Sequence, residues 1–515
     1  MCKQKLTAGI IALFCFSTMI EAQTVFYVSK SGSDNNNGSA SAPFATMETA
    51  VQKVSENVET VIYVQEDATF NISKLDLLNN KKVSIIGRNT VFLADDEPGK
   101  NGQRILRAGT DCDLKVKGII FKNARQVDYF PGGAVFFLGN TLEIDSCKFY
   151  DNEAGSGGGA IASRGKTVIV RNSYFEGNHT LGGGSQGGAI LQSGKNDATT
   201  GCSLTVENST FYKNVLDLGD QGTAIGLRDG SKGLASPYSN VDYVVVVNCI
   251  FLENTTTTPY QAAVDVSGGD TETYLINNTF YKNAGALRIG IAFNPVGLIN
   301  NVIFAEKAGI FGSLSVADGR EPVIAYNNII VGGERGVNEF MDDEALDAQK
   351  EANNNIVTTL NLYPWSNVAL ASALSTDNFV PYLPITSESS TLINAGLNNS
   401  TDAIGQNLIP SADVRGKAID DVKDIGAYEW GVKSGIIHSA RIDAFDVVQT
   451  KDYIWIKNRS GNKAQLTVFD VAGRIVYSGT VSQSESIDKN KLTKGVNIFI
   501  LSNENNTVAK KALIY

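Results

Sequence analysis

One phrase recurs down the middle of this chain and limits what it can fold into. It reads Asn208-Ser209-Thr210-Phe211-Tyr212-Lys213-Asn214, then Asn248-Cys249-Ile250-Phe251-Leu252-Glu253-Asn254, then Asn277-Asn278-Thr279-Phe280-Tyr281-Lys282-Asn283. Residues 172–178 have the same form, residues 146–152 nearly so, and shortened versions begin at Asn300, Asn327 and Asn354. A second phrase alternates with it, as Gly133-Ala134-Val135, Gly159-Ala160-Ile161, Gly188-Ala189-Ile190 and Thr223-Ala224-Ile225. The leading Asn falls at 172, 208, 248, 277, 300, 327 and 354, so the steps are 36, 40, 29, 23, 27 and 27. A floor near 23 with irregular insertions is the period of a solenoid. Leucine spaced as in leucine-rich repeats is missing, and so are the period-3.6 stripes of helical repeats. Short apolar runs broken by Gly and Asn fit three short strands per turn of a parallel β-helix.

The Asn column has a physical reason. Coils stack roughly 4.8 Å apart. A side-chain amide holds both a donor and an acceptor, so one Asn can bond the Asn above and the Asn below. Asn also tolerates the left-handed backbone of a sharp corner. The Phe three residues later is expected to point inward and stack in the same way. Cys147, Ser173, Ser209, Cys249, Asn278 and Asn301 share one column, so a Cys there is a small core or corner residue.

The expected fold is all-β: a right-handed single-stranded parallel β-helix with an N-terminal helix cap, followed by a small C-terminal β-sandwich. Residues 1–22 have the form of a secretory signal peptide, with Lys3 and Lys5 before an apolar run from Leu6 to Ile20. That run is shorter than the roughly 20 residues of a membrane span, and no other stretch could cross a bilayer. Residues 23–72 form the cap and first coil. Thr46 can cap a short helix whose Ala50, Val51, Val54 and Val58 make one apolar face. Asp34 with Asn35 to Asn37 could hold Ca2+, but the offset to Gly38 misses the EF-hand pattern and an ordinary turn is the favoured reading. Residues 73–360 are the solenoid, 361–430 its closing coils, 431–443 a linker, and 444–515 a domain of several strands. Cys112, Cys147, Cys202 and Cys249 remain after cleavage and are expected to be mostly free, buried thiols.

Four stretches resemble known families. The opening, Phe26 to Val51, resembles that of secreted right-handed β-helix proteins of the pectate-lyase-like superfamily. The alternating phrases over residues 118–290 resemble the repeats of chlamydial polymorphic outer-membrane proteins. Ser389–Gly396, Asp402, Gly405, Asp413–Gly416 and Asp424–Trp430 resemble, in order, the terminal module of many secreted bacterial β-helices. The last domain, with "LTVFDVAGRIVYSG", "LTKGVNIFIL" and the end "AKKALIY", resembles the C-terminal sorting domain of the Bacteroidetes type IX (Por) secretion system. That resemblance implies the secretion machinery as a partner, and a secreted or outer-membrane surface-attached protein.

The chemistry is less explicit. A net charge of −10 with no basic block argues against nucleic acid as a partner. The two histidines, His179 and His438, are far apart in sequence, which disfavours a His-based zinc site or a Ser-His-Asp triad. No paired carboxylates stand at matching positions in consecutive coils, as a β-helix glycoside hydrolase needs. Asp413, Arg415, Asp424 and Glu429 invite a catalytic reading, but an end-coil salt-bridge and turn network explains them better. Insertions recur between the Ala-Ile strand and the next Asn strand, at 192–203, 226–242, 265–273 and 311–322, and insertions at one place in successive coils stack along one edge. The residues on or beside that edge best suited to an acidic sugar chain are Arg164, Lys195, Arg228, Tyr238, Tyr260, Arg288 and Arg320. Arginine pairs bidentately with carboxylates and tyrosine stacks on sugar faces. The expected function is therefore that of an exported, monomeric β-helix that binds a polysaccharide or a host or cell-surface glycan, or acts as an adhesin. The alternative is a polysaccharide-degrading enzyme, a lyase on acidic glycans rather than a glycoside hydrolase.

Overall fold

The computed structural model describes residues 23–94, 103–126, 130–182, 187–194, 201–217, 222–228, 241–256, 262–266, 271–289, 296–305, 308–312, 323–332, 335–337, 353–359, 361–405, 407–419 and 422–431 of the long part of the chain, and 445–449, 453–458, 463–470, 474–482, 484–492, 495–502 and 507–514 near its end. The proposed signal peptide and the 432–443 part of the proposed linker lie outside these residues. Apart from Gly416–Ala418, the chain divides into one compact unit up to Val432 and a second from Lys433 onward.

The first unit is a parallel β-helix. One coil shows its plan: strand a (Thr167–Arg171), strand b (Tyr174–Glu176), strand c (His179–Thr180) and strand d (Ile190–Ser193). Each pairs in parallel with its counterparts in the coils before and after. Strands a and b belong to one sheet that bends at the corner between them, while strands c and d form sheets of their own. The two-residue strand c, present in five coils, is one more than the three strands per turn expected from the phrases. It is too short to leave a periodic signal in sequence.

The corner between a and b is where the Asn column stands. Asn172, Asn208, Asn248, Asn277, Asn300, Asn327 and Asn354 all have φ between 48° and 55°, the left-handed region that Asn enters at small cost. Their amides form part of a ladder, Asn248 Nδ2 donating to Asn208 Oδ1 at 3.1 Å and Asn300 Nδ2 to Asn277 Oδ1 at 3.0 Å. The next residue makes a second, fully buried ladder. Asn278 Nδ2 donates to Asn301 Oδ1, and Asn301 Nδ2 to Asn328 Oδ1, at 3.0 and 2.9 Å. A third ladder runs through Asn152, Asn178, Asn214, Asn254 and Asn283, where strand b turns into strand c. Inside, Phe121, Phe149, Phe175, Phe211, Phe251 and Phe280 stack with centroids 4.6–4.9 Å apart and rings within 10° of parallel. The coil spacing thus equals a good ring-stacking distance. Between c and d the chain needs glycine: Gly158 has φ +62°, and a Cβ there would lie 2.1 Å from the Ile161 carbonyl oxygen. Cys112, Cys147, Cys202 and Cys249 are buried and form no disulfide, and burial pushes the Cys147 thiol up to about 12.

The N-terminal end is capped as expected. The helix Met47–Gln52 buries Met47, Ala50 and Val51, and Thr46 Oγ1 accepts from Thr49 N. Asp34 accepts from the backbone N–H groups of Ala45 and Thr46 and from the Thr46 hydroxyl, which is the work of a turn residue.

The segment expected to add closing coils does something else. The described residues of 361–415 and 419–430 contain no strand paired to the helix sheets. They run back over the outside of strands a and b as a strap. Thr210 Oγ1 donates to Pro381 O at 2.6 Å, Asn248 Nδ2 to Ala412 O at 2.5 Å, and Leu397 N to Asn300 Oδ1 at 2.7 Å. The reason lies in the solenoid strands. Outward positions on strand a of the early coils are Lys115, Lys117, Glu143, Asp145 and Arg171, joined by ion pairs. From Val244 the alternation stops, and Val245, Val247, Tyr274, Ile276 and Ile299 face outward. Strands apolar on both faces must be covered on both. Ile404, Leu408 and Ile409 of the strap pack on this stretch, and Val380, Leu383, Ile385 and Ile425 pack on the outward residues of strand b.

The second unit holds two antiparallel sheets. One has strands Phe445–Gln449, Tyr453–Asn458 and Ser484–Asp488, and the other Ala464–Asp470, Ile475–Val481, Gly495–Ser502 and Thr507–Ile514. Ile454, Ile456, Leu466, Val468, Ile487 and Phe499 from both form one core, so the unit is a β-sandwich.

Candidate functional site

The outward side of the strand d sheet carries those expected site residues that the structure describes. Arg107, Phe136, Ala162, Leu191, Gly226, Asp265 and Arg288 occupy one register row across seven successive strands. One position further on, Ser163 pairs with Gln192, and two positions on Ser193 pairs with Arg228. That register sets Arg164, Ser193 and Arg228 level with one another, and Arg164 and Arg228 are therefore two strand spacings apart, roughly 10 Å.

Around Arg164 lies a shallow depression lined by Pro131, Phe136, Ala162, Arg164, Leu191 and Ser193. Its wall is rigid. The Arg104 guanidinium lies 4.7 Å from the Phe136 ring centre and donates to Gly132 O and Pro131 O at 2.9 and 2.7 Å. Burial lowers Arg104 to about 10. Ala162 and Leu191 are almost wholly buried, so the depression offers the hydroxyls of Ser156 and Ser193 beside a cationic rim, groups that bond sugar hydroxyls and a carboxylate.

Arg288 belongs to the same face but is engaged differently. Its Nη1 lies 3.5 Å from the fully buried Asp265 Oδ2, so much of its charge is balanced locally. Lys195, Tyr238, Tyr260 and Arg320 fall outside the described residues, as do 195–200, 229–240, 267–270 and 313–322 of the insertions. Arg107, which the sequence reading passed over, shares the face, with Asp76 opposite it in register.

A second group of titratable residues stands on strand c. Arg125, Glu153 and His179 occupy one row, with Arg125 Nε 3.3 Å from Glu153 Oε1 and His179 Nε2 2.9 Å from Asp217 Oδ2. His179 therefore stands beside Glu153 of the preceding coil and meets Asp217 of the next, which sequence distance alone concealed. Among the described residues no group of three side chains is arranged to hold a metal ion.

Asp413, Arg415, Asp424 and Glu429 form a buried network inside the strap. Arg415 Nε donates to Asp413 Oδ2 at 2.6 Å, Arg415 Nη2 donates to Glu429 O at 2.6 Å, and its guanidinium lies 3.9 Å from the Tyr428 ring centre. Asp424 accepts from the N–H groups of Asn394 and Trp430. These bonds tie one part of the strap to another, as a turn network does. Burial, with Asp424 beside it, raises Glu429 to about 8, and burial lowers Lys423 to about 8. Folded Glu429 keeps a proton that the unfolded chain releases near pH 4.5, so its contribution is full below that value and is lost as pH rises through about 8. Lys423 contributes in the opposite sense, with stability lost as pH falls from about 10.5 through about 8. Glu429→Gln is expected to slow amide hydrogen exchange across the strap at pH 8 and to leave it unchanged at pH 4. Equal protection of variant and native chain at both values would refute this.

Residues 450–515 match the family model of the secretion system C-terminal sorting domain. The chain is thus a type IX export substrate, secreted or attached to the cell surface. Among solved structures it is similar to a rhamnogalacturonan lyase, at 14% identity over 62% of this chain and 85% of that one, with a TM-score of 0.41. It is also similar to pectate lyase Pel9A, at 16% identity over 79% of this chain and 96% of that one, with a TM-score of 0.40. Comparison with curated proteins gives no significant match. No helix among the described residues is long and apolar enough to cross a membrane.

Proposed function

We propose that this exported β-helix binds an acidic glycan on the outward side of its strand d sheet, at or beside the stacked insertions. The observation that carries the reading is the placement of Arg164 and Arg228 at one register level, two coils apart, beside the depression that holds Ser156 and Ser193. Arginines recurring along a solenoid axis favour a linear polymer with repeated carboxylates over a compact ligand, because each added acidic sugar can meet another charge. Lys195, Tyr238, Tyr260 and Arg320 would extend the same surface.

Binding of polygalacturonate and of hyaluronan to the mature chain tests the reading. The Arg164→Ala/Arg228→Ala double variant is expected to lose roughly tenfold or more in affinity at low salt. The difference should shrink as salt rises, because exposed charge pairs are screened. Unchanged binding at low salt would show that another face is used. The same incubations distinguish a binder from a lyase, since β-elimination leaves unsaturated sugar ends that absorb in the ultraviolet.

A further inference from the structure

We infer a second carbohydrate site, for an uncharged, hydroxyl-rich glycan, on the outward face of strand b where the strap ends. It stands independently of the acidic-glycan reading. Tyr150, Glu176 and Tyr212 occupy one register row on three consecutive coils. Lys148 and Tyr174 form the adjacent row. A tight strap hairpin, closed by reciprocal backbone bonds between Ser375 and Tyr382, makes the wall. Its Phe379 ring centre lies 4.5 Å from Lys148 Nζ, and its Pro381 carbonyl accepts from Thr210.

The row changes character at this point. Downstream the same positions are Leu252, Tyr281, Phe304 and Val331, all buried beneath the strap. At Tyr150, Glu176 and Tyr212 the side chains are only half-buried. Tyr212 packs part of its ring on the strap's apolar cluster and Tyr150 lies 5.8 Å from Tyr174 between ring centres, yet both stay half-buried. They present apolar ring surface with a polar tip, which suits the C–H face and hydroxyls of a sugar. Tyr150 and Tyr212 are two strand spacings apart, roughly 10 Å, close to the length of a disaccharide unit in an extended chain. A glycan lying along the solenoid axis would meet a tyrosine at every second sugar. The sugar between them would lie over Glu176, whose carboxylate accepts from hydroxyls.

Charge argues for a neutral chain. A carboxylate at the centre of the row, with Asp151 at the next corner, repels uronates, while Lys148 and Lys213 are engaged. Lys213 Nζ lies 4.8 Å from the Tyr212 ring centre and 3.8 Å from Glu253. Lys148 is turned to the Phe379 ring at 4.5 Å, and burial lowers it from its ordinary value.

The test titrates the mature chain with uncharged hexasaccharides of β-linked glucose, mannose and xylose by calorimetry, with tyrosine nitration as a second readout. At least one hexasaccharide should bind and should protect Tyr150 and Tyr212 from nitration. Tyr150→Ala and Tyr212→Ala should each weaken binding by roughly tenfold, with little dependence on salt. Glu176→Gln, which keeps the shape of the side chain, should weaken it without changing the melting temperature. Polygalacturonate binding should be the same in all three variants, so failure here and failure of the strand d reading are separable. Absence of binding by all three sugars, binding indifferent to the variants, or an acidic polymer held by these residues would each overturn the proposal.

Discussion

Asn301→Leu is expected to destabilise the solenoid by roughly 3–9 kcal/mol, because about three buried polar groups lose partners at ~1–3 kcal/mol each. Asn301 Oδ1 accepts from both the backbone N–H and the side-chain amide of Asn278, each at 3.0 Å. Its Nδ2 donates to Leu275 O at 2.7 Å. Leucine fills the space and satisfies none of them. Asn301→Ser should cost less, since Ser173 and Ser209 hold equivalent places and each hydroxyl oxygen accepts the backbone N–H of the preceding coil. Asn248→Leu, at the corner column, should fall lower, at roughly 1–3 kcal/mol, since fewer groups are stranded there. Urea unfolding of the three variants gives the order directly. A leucine at position 301 that costs under about 1 kcal/mol would mean that the inner ladder is ornament to the stacked Phe column.

The second large effect is on location. Removing residues 444–515 should abolish surface display and leave the β-helix folded in the periplasm. The sandwich has an apolar core of its own, and so has the solenoid, which gives each the burial a folded unit needs. Fractionation with an antibody to the solenoid measures the outcome. Display unchanged by the deletion would refute the assignment of the signal to this domain.

Several features of the fold were readable because stacking repeats them. An Asn at φ near +50° recurs at seven successive corners from Asn172 to Asn354, and the register steps match the spacing of the phrase: Thr167 to Ser203 is 36, and Leu204 to Val244 is 40. The strap was not read, although its signal was present. In Val244–Val247 and Leu275–Ile276 the outward residues are as apolar as the inward ones, and such strands need cover. Strands Phe445–Gln449 and Ser484–Asp488 of the sandwich were also missed, the second because Ser-Glu-Ser-Ile-Asp offers one apolar residue to a periodicity search. The site was less legible than the fold. Arg164 and Arg228 could be aligned by counting from the repeated Ala, but Glu176 and His179 gain neighbours only when coils of unequal length are stacked. A loop of any length between two coils leaves their register intact while hiding it from the eye.

The strap turns an open-ended stack into something with a fixed count. In an ordinary solenoid each repeat touches only its neighbours, so a coil can be gained or lost at modest cost. Here Pro381 must reach Thr210, Ala412 must reach Asn248 and Leu397 must reach Asn300, across 171, 164 and 97 residues of chain. Insertion of one extra coil between Thr210 and Asn300 would move these partners apart by roughly 4.8 Å, and all the contacts could not be kept at once. The strap works as a ruler laid along the stack: loops on the strand d side are free to vary in length, but the number of coils beneath it is not.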